Sequence, residues 1–548
     1  MSILRSCDVL RLRIRRRWRQ AQPQAFCIGA AAFFERCYGV LLPCLYLWPL
    51  VGFGDDSAMD TERTATLLYA RLAGHYRQAI QSGVLTPGTR MPSVRTLVRQ
   101  HGVSLSTALQ ACRTLEDEGL LEARPRSGYF VQRPRRAAFR PVSEPDPRSF
   151  AQVSVQAPDP AAFTGIHDRV SDFVTKCERF PVKTNLALAF GAPEAYPRDA
   201  LRAAAQRALR RHPEVLVSPV PPQGDPGFRA VLARRALASG MSLTPEEILV
   251  THGCTEAINL ALRAVTRPGD LVAVESPTYF GLLQVIESLG LRTLEIPTSP
   301  SRGISVEALE LAFRSHERVA AVVVIPNFQN PLGCVMPDEE KQRLVTLCEA
   351  HGVPLVEDDI YGALSDDAQP LKCCKAWDRS GNVIHCGSFH KTLAPGMRVG
   401  WMTGGRWQDR IRMLKHAQSR PNDALAQLTL GEFMGSHAFD RHLARLRAQL
   451  RVQRERTAET IAAHFPAGTC LNMPGGGMLL WVELPEGCSS RRIFEAALRE
   501  GIRVAPGALF SNSDRFDRFL RVSCGYPHSE QIDAALVRLS AIVAADPG

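Results

Sequence analysis

Beyond Pro181, six short apolar runs (EILVTHG, DLVAVES, AAVVVIP, VPLVEDD, VIHCGSF and LLWVEL) alternate with stretches of helical character. A run that is apolar at successive positions suits a strand covered on both faces, and strands joined through helices pair in parallel. This alternation predicts an α/β domain over residues 181–545, with a mixed, mostly parallel sheet and helices on both sides. At 548 residues the chain exceeds what one core organises, so a further domain is expected ahead of it.

The positive charge sits in that front part. Of the formal net charge of +11, residues 1–58 carry +4 and residues 60–140 carry +7, leaving residues 141–548 neutral. Such a field favours an anionic partner at the front and leaves the large domain free to bind something else. Leu68, Leu72, Tyr76 and Ile80 recur every fourth residue and predict a first helix, which GVLTPG interrupts. Ser93 stands as N-cap before Val94, Leu97 and Val98, and Gly102 ends that short second helix. Ser104 caps a third, whose inward face is Ala108, Cys112 and Leu115 and which stops at Gly119. LLEARPRSGYFV then reads as two short strands around a tight tip. Three helices and a hairpin make a winged helix-turn-helix, placed at residues 62–132.

In that motif the start of the reading helix enters the major groove of double-stranded DNA, where short polar side chains reach base edges or phosphates. Ser104, Ser106 and Thr107 occupy that start. Ser93, Arg90, Arg95, Arg124 and Arg126 flank it as phosphate clamps or groove readers, and Gly128 lets the wing tip approach the backbone. Taken singly, such arginines most often only solvate a face; the ordered set is what points to DNA. The string from Val84 to Val131, with TPGTRMPSVRTLV, the reading helix and the SGYFV wing in order, resembles the GntR-type winged helix almost throughout.

Residues 133–180, opening RPRRAAFRPVSEPDPRS, are rich in proline and charge with little sustained periodicity, and read as a linker. Residues 1–58 differ from the rest. RLRIRRRWRQ precedes an apolar stretch from Cys37 to Phe53 that carries Pro43 and Pro49 and is shorter than the ~20 residues a membrane helix needs. It is read as an atypical extension, with a membrane role not expected. Met59 is an alternative start, since MDTERTATLLYARL opens directly into a patterned helix. The 15 cysteines show no C-x-x-C pair, which disfavours a disulfide scaffold or zinc ribbon and fits a reducing cytoplasm.

The large domain carries a chemical constellation. GSFHKTLAPGMRVGW sets Ser388 and Arg398, a hydroxyl and a guanidinium suited to phosphate, on either side of the Lys391 amine. A lone S-x-x-K is weak evidence, but followed by TLAPGMRVGW it is strong. VEDDIYG ends an apolar run with Asp358 and Tyr361, which alone would read as an acidic loop at a strand end. PNFQNPLG places Asn330 before Pro331 in a turn. THGCTEAINLAL follows a strand and opens a helix, so Gly253, Cys254 and Thr255 offer backbone N–H groups and a hydroxyl to an anion. Tyr279, in SPTYFG, is placed to stack on a ring, although a single aromatic is more often core. An amine for an aldehyde, an acid for a ring nitrogen, donors for a phenolic oxygen and a cup for a dianion are together what pyridoxal 5'-phosphate requires.

In order and separation these motifs resemble the fold-type I aminotransferases over roughly residues 181–545. That resemblance implies a large cofactor domain, a smaller C-terminal α+β domain, and a substrate-carboxylate clamp at Arg521 in FLRVSCGY. One departure stands out: those enzymes commonly carry a tyrosine that reaches the partner subunit's phosphate, whereas this chain reads LVSPVPPQGDPGFR there, without one. A GntR-type head joined to such a domain is the arrangement of the MocR-type regulators. The resemblance implies a homodimeric transcription regulator that senses a small amine, an amino acid or pyridoxal phosphate, with the linker carrying the response to the DNA heads. The alternative is an active aminotransferase with an appended DNA-binding module. A purely structural large domain is disfavoured by Lys391 and Asp358.

Overall fold

The structure is a computed structural model that describes residues 68–81, 84–86, 88–118, 120–124, 127–132, 141–143, 165–367 and 369–546. It divides into two compact units, Met1–Pro134 and Arg135–Gly548. The extension 1–58 with its apolar stretch, the third-helix stop at Gly119 and the wing-tip Arg126 lie outside the described residues. Among those described, no helix is long and apolar enough to cross a membrane, and the cysteines are free.

The first unit contains α1 (Leu68–Gln81), α2 (Val94–His101), α3 (Leu105–Asp117) and a hairpin of β1 (Leu121–Arg124) and β2 (Gly128–Val131). The caps are those expected. Ser93 Oγ accepts from the Thr96 N–H and Ser104 Oγ from the Thr107 N–H, each satisfying a donor that a helix start leaves open. Gly102 closes α2 in the left-handed conformation at φ 61°. Leu72, Tyr76, Leu97, Ala108, Cys112 and Leu115 bury one side of each helix against Leu121 and Val131. The segment before α2 adds a third line to the hairpin: Arg90 bridges to Phe130, and the Met91 N–H donates to the Tyr129 carbonyl at 2.8 Å.

In the second unit the expected linker is interrupted. The Val142 N–H donates to Asn472 Oδ1 at 3.2 Å and the Ser143 N–H to Glu483 Oε2 at 2.7 Å. Residues Gly165–Arg179 form a helix, α4, with Ile166, Val170 and Cys177 buried. The span 133–180 is thus not linker throughout, because its last part carries an apolar stripe at helical spacing that the proline-rich stretch before it obscured.

The main sheet comprises eight strands. β3 (Thr184–Asn185) lies outside it, and among the described residues its eight strands are β4 (Ile248–Thr251), β5 (Leu271–Ser276), β6 (Arg292–Ser299), β7 (Gly303–Ile304), β8 (Val319–Val324), β9 (Leu355–Asp358), β10 (Val383–Ser388) and β11 (Gly400–Thr403). Their order is β4-β11-β10-β9-β8-β5-β6-β7. From β10 to β6 neighbours are parallel, while β11 runs antiparallel to both β10 and β4. Every residue of β5, β8 and β10 is buried, as doubly covered strands require.

The sixth apolar run, LLWVEL, departs from the expectation. It forms β13 (Leu479–Glu483), which pairs antiparallel with β12 (Cys470–Leu471) and β16 (Phe519–Ser523) in a separate four-stranded sheet completed by β15 (Ala505–Pro506). Its five residues are all buried, so it reads like a parallel-sheet strand. This smaller α+β part also draws on the start of the unit, since β14 (Ile502–Arg503) pairs in parallel with β3.

Candidate functional site

β4, β5, β8, β9 and β10 run the same way, and their carboxyl ends open on one cavity of about 260 Å³, the place where sheets of this type bind ligands. Asp358 is the last residue of β9 and Ser388 the last of β10, while Tyr279 and Asn330 lie on the loops after β5 and β8. All ten expected cofactor residues except Gly253 line the cavity, as does Arg521.

Gly253 sits beside one end of the cavity. At φ 81° it turns β4 into the helix Cys254–Val265, whose first N–H groups are free for an anion. A Cβ on Gly400 of β11 would stand 2.7 Å from Gly253 Cα, so only glycine permits this approach. Arg398 reaches the same end: its Nη2 is 3.3 Å from where a Cβ of Gly253 would be. Ser388 Oγ accepts from the His390 N–H at 3.2 Å, and His390 Nδ1 lies 3.4 Å from Arg398 Nη1. Thr255 is exposed beside them. A backbone nest, a hydroxyl and a guanidinium are groups able to hold a phosphate.

The Lys391 amine lies 5.9 Å from the Tyr361 ring centre and 6.0 Å from that of Phe190. Burial, helped by Arg521 and Arg398, pushes its pKa down to about 8 against the pull of Asp358. Asp358 is buried, and that burial pushes its carboxyl up to about 6, although a hydrogen bond from the Cys254 thiol opposes the rise. That bond runs from Cys254 Sγ to Asp358 Oδ1 at 3.0 Å, so the Cys254 side chain braces the acid and leaves its backbone N–H as the group it can offer to an anion. A buried carboxyl that forms no salt bridge among the described residues suits a protonated ring nitrogen.

The Tyr361 hydroxyl is buried without a partner, and burial drives its pKa up, so it stays a donor. Arg521 is held by Nη1 donating to Asn330 Oδ1 at 2.9 Å and Nη2 to the Ala187 carbonyl at 2.5 Å, while its Nε has no partner. The Asn330 loop is itself fixed by buried Glu275, which accepts from the Ile325 N–H at 2.9 Å and from Gln329 Nε2 at 3.3 Å. Sequence reading passed over Glu275, though it is the lone charge in an apolar strand, and over His390, which precedes Lys391. It also passed over Phe190 and Arg503, for which no motif stood out. The orphaned Tyr361 hydroxyl, a buried acid without a salt bridge and an amine of lowered basicity fit pyridoxal 5'-phosphate. When bound, that cofactor supplies an electron-withdrawing ring.

In the head, Arg90 lies 3.8 Å from where a Cβ of Gly128 would be, and Arg124 stacks on Phe130 at 4.5 Å while pairing with Glu122. These three expected DNA contacts gather around the hairpin. Arg95 and Ser106 are exposed on α2 and α3. Ser93 and Ser104 have their hydroxyls engaged at the caps, and Ser104 Oγ also meets Ser106 Oγ and Thr107 Oγ1, both at 2.8 Å.

Residues 186–539 match the family Aminotransferase class I and II, and residues 68–131 match the bacterial regulatory proteins of the gntR family. The uncharacterized HTH-type transcriptional regulator YjiR of Escherichia coli is 36% identical over 87% of this chain and 98% of its own. The chain belongs to the MocR-type regulators of the GntR superfamily. The uncharacterized HTH-type transcriptional regulator YdcR of the same organism is 34% identical over 87% of the chain and 98% of its own length. Among solved structures, LysN, the α-aminoadipate aminotransferase of Thermus thermophilus, complexed with N-(5'-phosphopyridoxyl)-L-leucine, superposes with a TM-score of 0.62 at 28% identity. That match covers 68% of this chain and 94% of LysN. This MocR-type regulator is therefore a DNA-binding transcription regulator with a pyridoxal-phosphate-dependent fold.

Proposed function

We propose that this regulator senses an amino acid or related amine at Lys391 and answers by changing how its winged helix engages an operator, working in the cytoplasm as a homodimer joined through its large domains. Ser388, Arg398 and the Gly253 turn hold the cofactor phosphate, Asp358 its ring nitrogen, Tyr361 and Asn330 its phenolic oxygen, and Arg521 the ligand carboxylate. The carrying observation is Arg521, whose guanidinium is braced on one edge and unpartnered at Nε beside the Lys391 amine, as a carboxylate clamp requires. The same completeness supports a second reading, an enzyme that turns over.

The cofactor-loaded protein is titrated with amino acids while its absorbance, keto-acid release and operator affinity are followed. A ligand-dependent spectrum with altered operator affinity and no keto acid is the regulator's result. Sustained keto-acid release with operator affinity unchanged would replace it by the enzyme.

A further inference from the structure

The cavity holds four cations, Lys391, Arg398, Arg503 and Arg521, against the single carboxylate of Asp358. Three of the cations are accounted for by the aldehyde, the phosphate and one carboxylate. Arg503 is not. It ends β14, two residues before Ala505, which pairs with Arg521 across β15 and β16 and lines the same cavity. Residues two apart in an extended chain share a face, so Arg503 and Arg521 look into one space.

Arg503 Nη2 donates to the Cys177 carbonyl on α4 at 3.0 Å, and its Nε is buried without a partner. Among the described residues no carboxylate pairs with it. A partly buried guanidinium held by one carbonyl has unspent capacity for a planar anion, and its geometry suits a carboxylate presented side-on.

We infer that Arg503 binds a second carboxylate, so that the ligand of this site is an acidic amino acid whose α-carboxylate lies on Arg521 and whose distal carboxylate lies on Arg503. The inference rests on the reading of the cavity as an amino-acid site around Lys391. Because Arg503 also holds α4, the distal carboxylate would contact the guanidinium that braces this helix.

The test titrates the full-length, cofactor-loaded protein with L-glutamate, L-glutamine and L-norleucine, following the absorbance of the bound cofactor. Glutamate is expected to bind at least roughly tenfold more tightly than its amide, about 1.4 kcal/mol. R503Q should abolish that preference while leaving the glutamine response and thermal stability near the parent's, and R503K should restore part of it. Equal affinity for glutamate and glutamine overturns the inference while leaving the amino-acid reading standing, as does an R503Q variant that weakens all three ligands alike. Silence toward every amino acid in the parent protein would instead sink the reading of the site, and this inference with it.

Discussion

The Lys391 amine is buried, and repulsion from Arg521 and Arg398 in the same cavity adds to that burial, so its pKa is pushed down to about 8 from the ordinary 10.5. Below about 8 the amine is held as an ammonium and cannot attack an aldehyde; above it the lone pair is free. Cofactor uptake by the apoprotein, followed by stopped-flow absorbance, should therefore accelerate with rising pH and level off above about 8. R521Q removes one repulsive neighbour and should move that midpoint upward. Lys391→Ala should abolish the visible band of lysine-bound cofactor yet leave weaker binding measurable by calorimetry, because Ser388, Arg398 and the Gly253 turn grip the phosphate independently. Asp358→Asn keeps the shape but loses the charge, and should cost about 1.5–3 kcal/mol of cofactor affinity, the worth of a charge-assisted hydrogen bond. An affinity unchanged in that variant would remove Asp358 from the ring nitrogen.

At the scale of elements, the capping serines and the exposed polar groups of the head separate stability from recognition. Ser104→Ala removes the acceptor of the Thr107 N–H and should lower the stability of the head by about 1 kcal/mol in thermal unfolding. Arg95→Ala should leave melting unchanged, since its side chain is exposed, but weaken operator binding by about 1–3 kcal/mol if it reads a base, or flatten the salt slope if it holds phosphate. Anisotropy titrations at several salt concentrations distinguish the two. These helices were legible because each start and stop is written locally, by Ser93, Gly102 and Ser104. Helix α4 was legible in principle through Ile166, Val170, Phe173 and Cys177, but its stripe follows a proline-rich stretch and packs on distant chain.

For the whole molecule, the head has its own core, formed entirely by residues between Leu72 and Val131, and most of the net charge of residues 60–140. A fragment spanning 62–132 should thus fold and bind DNA with an affinity that falls steeply as salt rises, without cofactor or effector. A fragment that stays unfolded by circular dichroism would show that the head depends on the large unit. In the large unit the site belongs to no single element: strand ends far apart in sequence meet because the sheet order sets β11 between β4 and β10 and places β9 next to β10.

The sequence by itself determined the winged helix, the mostly parallel sheet and the motif residues, because capping, periodicity and ordered spacing are local and survive without contacts. Only the tertiary structure decided that LLWVEL enters an antiparallel sheet, since complete burial looks the same in either pairing. It alone turned the Cys254 thiol toward Asp358, placed Glu275 under the Asn330 loop and brought Arg503 into the cavity beside Arg521. The residues in those three contacts stand 104, 50 to 54 and 18 positions apart, and which partner a buried polar group meets is set by strand order and register rather than by its neighbours in the chain.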